Sequence, residues 1–155
     1  MTRGTLRHES NGTLSRLEHL YQPWEDAMNR RDPLAVSLLY AAESVLLPTL
    51  DAALLTTLSS RLHYFERILR SVRLTVELGS SHGTVQDAWG VFYGTYTFRF
   101  AQRAKLRTLY ARFNFLFDLE TEKIVLHHSA QLPESQSPEF PLPQSQSTRE
   151  AHEPA

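Results

Sequence analysis

The stretch LRTLYARFNFLFD, Leu106–Asp118, alternates through its second half. Successive strand side chains point to opposite faces, so Ala111, Phe113, Phe115 and Phe117 share one face and Arg112, Asn114, Leu116 and Asp118 the other. A turn at Leu119–Glu122 leads to KIVLHHSAQL, Lys123–Leu132, with Ile124, Leu126, His128 and Ala130 on one side and Val125, His127 and Ser129 on the other. Two placements fit. In the first, Arg112, Asn114 and His127 line a partly polar cavity beneath helices, while the Phe-rich face packs on another subunit. In the second, the phenylalanines fill the chain's own core and Arg112 reaches solvent.

Upstream, Gln102–Lys105 reads as a polar turn and Thr84–Phe100 as a β-rich block holding Trp89, Val91, Phe92, Tyr93, Tyr96 and Phe98. Gly79–Gly83 reads as a turn after a strand at Leu74–Leu78. Before that, apolar residues recur at three and four. Leu62, Phe65, Leu69 and Val72 predict a helix capped by Ser59 or Ser60, and Leu14, Leu17, Tyr21, Trp24 and Met28 one running to about Arg30. Pro23 inside the latter predicts a kink or a break. Asp32-Pro33 predicts an N-cap and first turn of a short helix to about Leu39, and Tyr40–Leu47 a strand closed by Pro48. Helices followed by three or four antiparallel strands make an α+β fold with the helices on one face of a curved sheet.

Composition bounds the rest. A chain of 155 residues is one domain. Residues 1–12 are polar and 133–155 are rich in Pro, Ser and Gln, which predicts disordered ends around a folded unit at 13–132. Lys plus Arg is 16 and Asp plus Glu 17, so no global field draws the chain to nucleic acid or an anionic membrane. Cysteine is absent, which excludes disulfides and thiolate chemistry and fits a cytoplasmic location. No apolar run approaches the roughly 18 residues of a membrane span, and Met1–Ser10 lacks the apolar core of a secretory signal.

Trp24-x-x-Ala27-Met28, Asp32-Pro33, Leu39-Tyr40-Ala41, Val45-Leu46-Leu47-Pro48-Thr49, Tyr64-Phe65, Gly94-Thr95-Tyr96-Thr97-Phe98, Ala111-Arg112-Phe113 and His127-His128-Ser129 follow one another in an order that resembles the NTF2-like superfamily. Within it the chain is similar to SnoaL-like and DUF4440-type proteins and to the association domain of calcium/calmodulin-dependent protein kinase II. The resemblance implies a cone, a curved sheet wrapped on helices with a pocket at its open end, and dimerisation through the sheet's outer face. It assigns Arg112 to the pocket as partner of a small carboxylate, with Thr95 and Ser129 standing where those domains carry further arginines. Ketosteroid-isomerase-like members use a carboxylate near the exit of the first strand and a tyrosine on the first helix, where this chain has Leu46-Leu47-Pro48 and Trp24.

The candidate ligand-binding site is therefore Arg112, Asn114 and His127, with hydroxyls from Tyr40 and Tyr64. It takes a small organic molecule, an anion where Arg112 is its partner, in a homodimer or higher oligomer without a cofactor. The alternative is a cofactor-independent cyclase or isomerase, with Glu43, Asp51, His63, Glu77 and His127 as groups able to move protons. A third reading is a purely structural assembly module. His127 and His128 point to opposite faces of a strand and cannot share one ion, so no metal is predicted. Arg99, Arg103, Lys105, Arg107 and Arg112, interleaved with Phe98, Phe100 and Tyr110, read as a solvated hairpin in preference to a nucleic-acid surface.

Overall fold

The computed structural model describes residues 11–71 and 73–133. The disordered ends expected at 1–10 and 134–155, and Val72 of the predicted helix stripe, lie outside them. Asn11 and Gly12 already belong to the first helix, α1, Asn11–Asn29. It is one continuous helix through Pro23, so of the expected kink or break the break does not occur. Pro23 lies on the exposed side, while Leu17, Tyr21, Trp24, Ala27 and Met28 form the buried stripe.

Asp32 caps the short helix α2, Pro33–Leu38, accepting from the Ala35 amide at 3.0 Å. Strand β1 is Tyr40–Leu47. Helix α3, Leu58–Glu66, opens on Thr57 and not on the serines. The Thr57 hydroxyl accepts from the Ser60 amide, and Ser60 Oγ accepts from the Thr57 amide, so a reciprocal box satisfies two free donors. The helix ends in a wider π turn, Arg67–Ser71. Its buried side is Arg61, Tyr64, Phe65, Ile68 and Leu69, which includes Phe65 and Leu69 of the predicted stripe, while Leu62 is half-buried.

Strands β2, Thr75–Gln86, β3, Trp89–Gln102, β4, Lys105–Asp118, and β5, Lys123–Gln131, complete one sheet ordered β1-β5-β4-β3-β2. β2 to β5 form the expected antiparallel meander, and β1 adds to its β5 edge in parallel. The architecture is α+β. The expected turn at Gly79–Gly83 is instead continuous strand, with a register shift between Leu78 and Ser81. Glycine suits that irregularity, because a Cβ at the facing Gly94 would fall on the Ser80 carbonyl. The real turn is at 87–88, where Asp87 adopts φ 53°. The free edge of β2 is covered by polar groups of α1: Asn29 exchanges two 2.8 Å bonds with the Val76 backbone, Glu25 accepts from the Leu78 amide, and Glu18 accepts from Ser81 Oγ.

The second of the two face placements is the observed one. Ala111, Phe113, Phe115 and Phe117 are buried under α1 in the chain's own core, and Arg112 and Asn114 are exposed on the opposite face. The reason lies in α1, whose Tyr21 and Trp24 pack on those phenylalanines, with ring centroids 5.8 Å apart for Tyr21–Phe113 and 5.3 Å for Trp24–Phe115. The large rings of helix and sheet supply the apolar area for each other. Among the described residues, no helix is long and apolar enough to cross a membrane.

Candidate functional site

Pairing of β4 with β5 fixes which residues meet. Phe115 lies opposite His127 and Asn114 opposite His128, so His127 joins the Phe face and His128 the Arg112 face. Sequence reasoning put Arg112, Asn114 and His127 together, and the fold separates them. The inner face holds His127, Tyr40 and Tyr64; the outer face holds Arg112 and Asn114.

On the inner side, a cavity lies between the sheet, α1, α3 and the loop after β1. Its polar lining is Thr49, Tyr64, Tyr96, His127 and Ser129, and its apolar lining includes Trp24, Met28, Leu46, Ile68 and Phe98. No charged side chain lines it among the described residues. The space is about 20 Å³, room for about one water molecule. The loop over it is held to β1 by two backbone bonds between Leu46 and Leu55, at 2.9 and 3.0 Å, so anything larger than water requires that loop to shift.

Six side chains form one hydrogen-bonded chain along the cavity. The Trp24 indole N–H donates to Tyr40 Oη at 3.0 Å, and Tyr40 Oη lies 2.7 Å from His127 Nδ1. His127 Nε2 is 3.1 Å from Tyr96 Oη, which donates to Ser129 Oγ at 2.6 Å. Ser129 Oγ in turn meets Thr49 Oγ1. The imidazole is stacked on Phe115 at 3.9 Å and 15°. Burial, together with the charge of His128, pulls the His127 pKa down to about 3, so this ring is neutral at pH 7. Burial pushes the Tyr40, Tyr64 and Tyr96 phenols above their ordinary range.

Arg61 was not singled out in the sequence, yet it is fully buried without a carboxylate. Its guanidinium donates to the Ser44 and Ala41 carbonyls, each at 3.1 Å, and stands 5.7 Å above the Tyr40 ring. Between Tyr40 and Val45, β1 advances five residues while β5 advances two, Ile124 to Leu126. In that bulge the Ala41 and Ser44 carbonyls accept from Arg61. Burial lowers the Arg61 pKa, and a guanidinium remains charged regardless. The carbonyl bonds tie Arg61 to the bulge that follows Tyr40. Its sequence signal is a cation placed four and seven residues before Phe65 and Ile68, on the buried stripe. Thr49 was also passed over as a site residue. For the Ser129 pair, the signal is polar His127 and Ser129 at alternate positions of one strand, both buried.

The outer face arranges three cross-strand rows, Thr95–Arg112–Ala130, Tyr93–Asn114–His128 and Val91–Leu116–Leu126. A shallow depression of about 560 Å³ lies among them. Of the groups considered for proton transfer, only His127 lines the inner cavity. Asp51 is in an exposed pair with Arg67, Glu77 in one with Arg99 across β2 and β3, and Glu43 and His63 are exposed.

A mixed five-stranded sheet curved over helices, with its cavity on the helical side, is the NTF2-like fold. No family model matches the chain, and no curated protein matches it in sequence. Among solved structures, it is similar to a Xanthomonas campestris protein described as a calcium/calmodulin-dependent protein kinase II association domain, with TM-score 0.71 and 25% identity over 86% of this chain and 96% of that one. It is also similar to a Streptomyces avermitilis protein described as a dehydratase of the NTF2-like family, with TM-score 0.69 and 14% identity over 79% and 98% of the two chains. A third is an epoxide hydrolase/cyclase-like enzyme of pyran ring formation in salinomycin, with TM-score 0.66 and 11% identity over 76% and 92%.

Proposed function

We propose that this chain is a small-molecule-binding and assembly module whose inner cavity, enlarged by a shift of the loop after β1, takes a small, uncharged, largely apolar molecule. The observation that carries this is a buried chain of hydroxyls and a neutral imidazole along a cavity lined by no charged side chain among the described residues. A polar cluster in apolar walls fixes the orientation of an organic ligand, and the walls supply its affinity. An anion is disfavoured, because Arg112 lies on the other face. Proton-transfer chemistry is also disfavoured, since its groups need pKa values near neutrality and those of the phenols and His127 are pushed away from it.

The assembly surface in this reading is the outer face, where a second copy covers Val91, Tyr93 and Leu116. Native mass spectrometry of the full chain tests both parts. A co-purifying small-molecule mass is expected on wild type, absent from Leu50→Trp at the cavity mouth and retained by Arg112→Ala. The opposite pattern would place binding on the outer face. Tyr93→Asp is expected to reduce the dimer mass to a monomer, and an unchanged dimer would refute the outer-face interface.

A further inference from the structure

The hydrogen-bonded chain from Trp24 to Thr49 has a direction, and that direction follows from counting hydrogens. An indole can only donate, so Tyr40 Oη accepts from Trp24 and has one hydrogen of its own. Its other hydrogen-bond neighbour is His127 Nδ1, which must therefore be the accepting nitrogen. A neutral imidazole with an accepting Nδ1 carries its hydrogen on Nε2, and this is donated to Tyr96. Tyr96 then donates to Ser129. Each of the six groups has one hydrogen, and five contacts join them. With the first hydrogen committed at the Trp24 end, the spare one falls on the Thr49–Ser129 pair. Both residues line the cavity, and Thr49 is half-buried in the loop after β1.

We infer that the Thr49–Ser129 pair holds a spare hydrogen that it donates into the cavity, so the molecule bound there presents an acceptor oxygen to it, such as a carbonyl, ester or ether. This deepens the proposed function and rests on its cavity. Trp24, at the far end of the chain, acts as a positioning residue that sets this preference without touching the ligand. Turning the chain around, which would move the spare hydrogen away from this pair, would strand the indole N–H in the core.

Two measurements test the inference. In ¹⁵N spectra of the full chain, His127 should show an unprotonated Nδ1 and a protonated Nε2; the reverse tautomer would overturn it. In NMR titrations, cyclohexanone should bind wild type on the order of tenfold more tightly than the isosteric hydrocarbon methylenecyclohexane. In Thr49→Val/Ser129→Ala/Tyr96→Phe every hydroxyl of the chain that lines the cavity is gone, and the spare hydrogen stays on His127 Nε2, in a ring stacked on Phe115. The ketone preference should then fall to within about twofold, with hydrocarbon binding retained. Equal binding of the two probes to wild type, or an undiminished preference in the triple variant, sinks the donor assignment while leaving the cavity reading intact. Binding of neither probe sinks the cavity reading, and this inference with it.

Discussion

Asn114 and Phe115 are neighbours in β4, yet one is exposed and the other is wholly enclosed by Tyr21, Trp24, Phe113, Phe117 and His127. The inner face of the sheet is a network of packed rings, and the outer face is open rows of mixed polarity. What decides between them is the helix. The α1 stripe presents two large rings, and only the phenylalanine face can match them without leaving voids. The sharpest way to break the comparison is to truncate one residue on each face. Phe115→Ala is expected to cost about 3–5 kcal/mol and Asn114→Ala less than about 0.5 kcal/mol, read from urea unfolding of each. Similar losses at both positions would mean that the faces are misassigned.

Two arginines give the next contrast. Arg112 is conspicuous in the sequence, flanked by strand residues, and it is exposed; Arg61 is inconspicuous and fully buried. Arg61→Met retains an apolar stem but abandons the Ser44 and Ala41 carbonyls, for an expected loss of about 2–4 kcal/mol. Arg112→Met should stay within about 0.5 kcal/mol of wild type. If Arg61→Met is equally mild, water takes over the bulge and Arg61 does not hold it.

Periodicity made the α1 stripe, the Asp32 cap and the long strands legible, because each is a local pattern with a single physical cause. Face choice was not legible in the same way, since alternation divides residues into two sets without saying which set meets the helices. The Gly79–Gly83 error has a related origin: glycines mark both turns and bulges, and here the choice was made by the Ser80 carbonyl approaching Gly94 on the adjacent strand. His127 was grouped with Arg112 by strand alternation, yet pairing of β4 with β5 puts His127 on the cavity side and turns Arg112 to the opposite face. The β1 bulge that calls for Arg61 depends on register against β5 and leaves no local trace.

The adjacent histidines carry the comparison down to a single bond. His127 is 2% exposed between Phe115 and the two phenols, while His128 stands in the open row with Tyr93 and Asn114. An unfolded imidazole titrates near 6.5, and the folded His127 near 3. Below pH 6.5 the unfolded chain takes up a proton that the folded chain refuses, so stability falls as the pH drops from about 6.5 toward 3 and is fully present above that window. The slope from one such group is at most about 1.4 kcal/mol per pH unit, or about 2 kcal/mol between pH 7 and pH 5. Urea melts across that range should show the slope in wild type and in His128→Gln, and lose it in His127→Gln. The glutamine retains one donor and one acceptor for the Tyr40 and Tyr96 hydroxyls without a titrating ring. A slope that survives in His127→Gln would assign the acid sensitivity to other groups and remove the neutral imidazole from the account of the cavity.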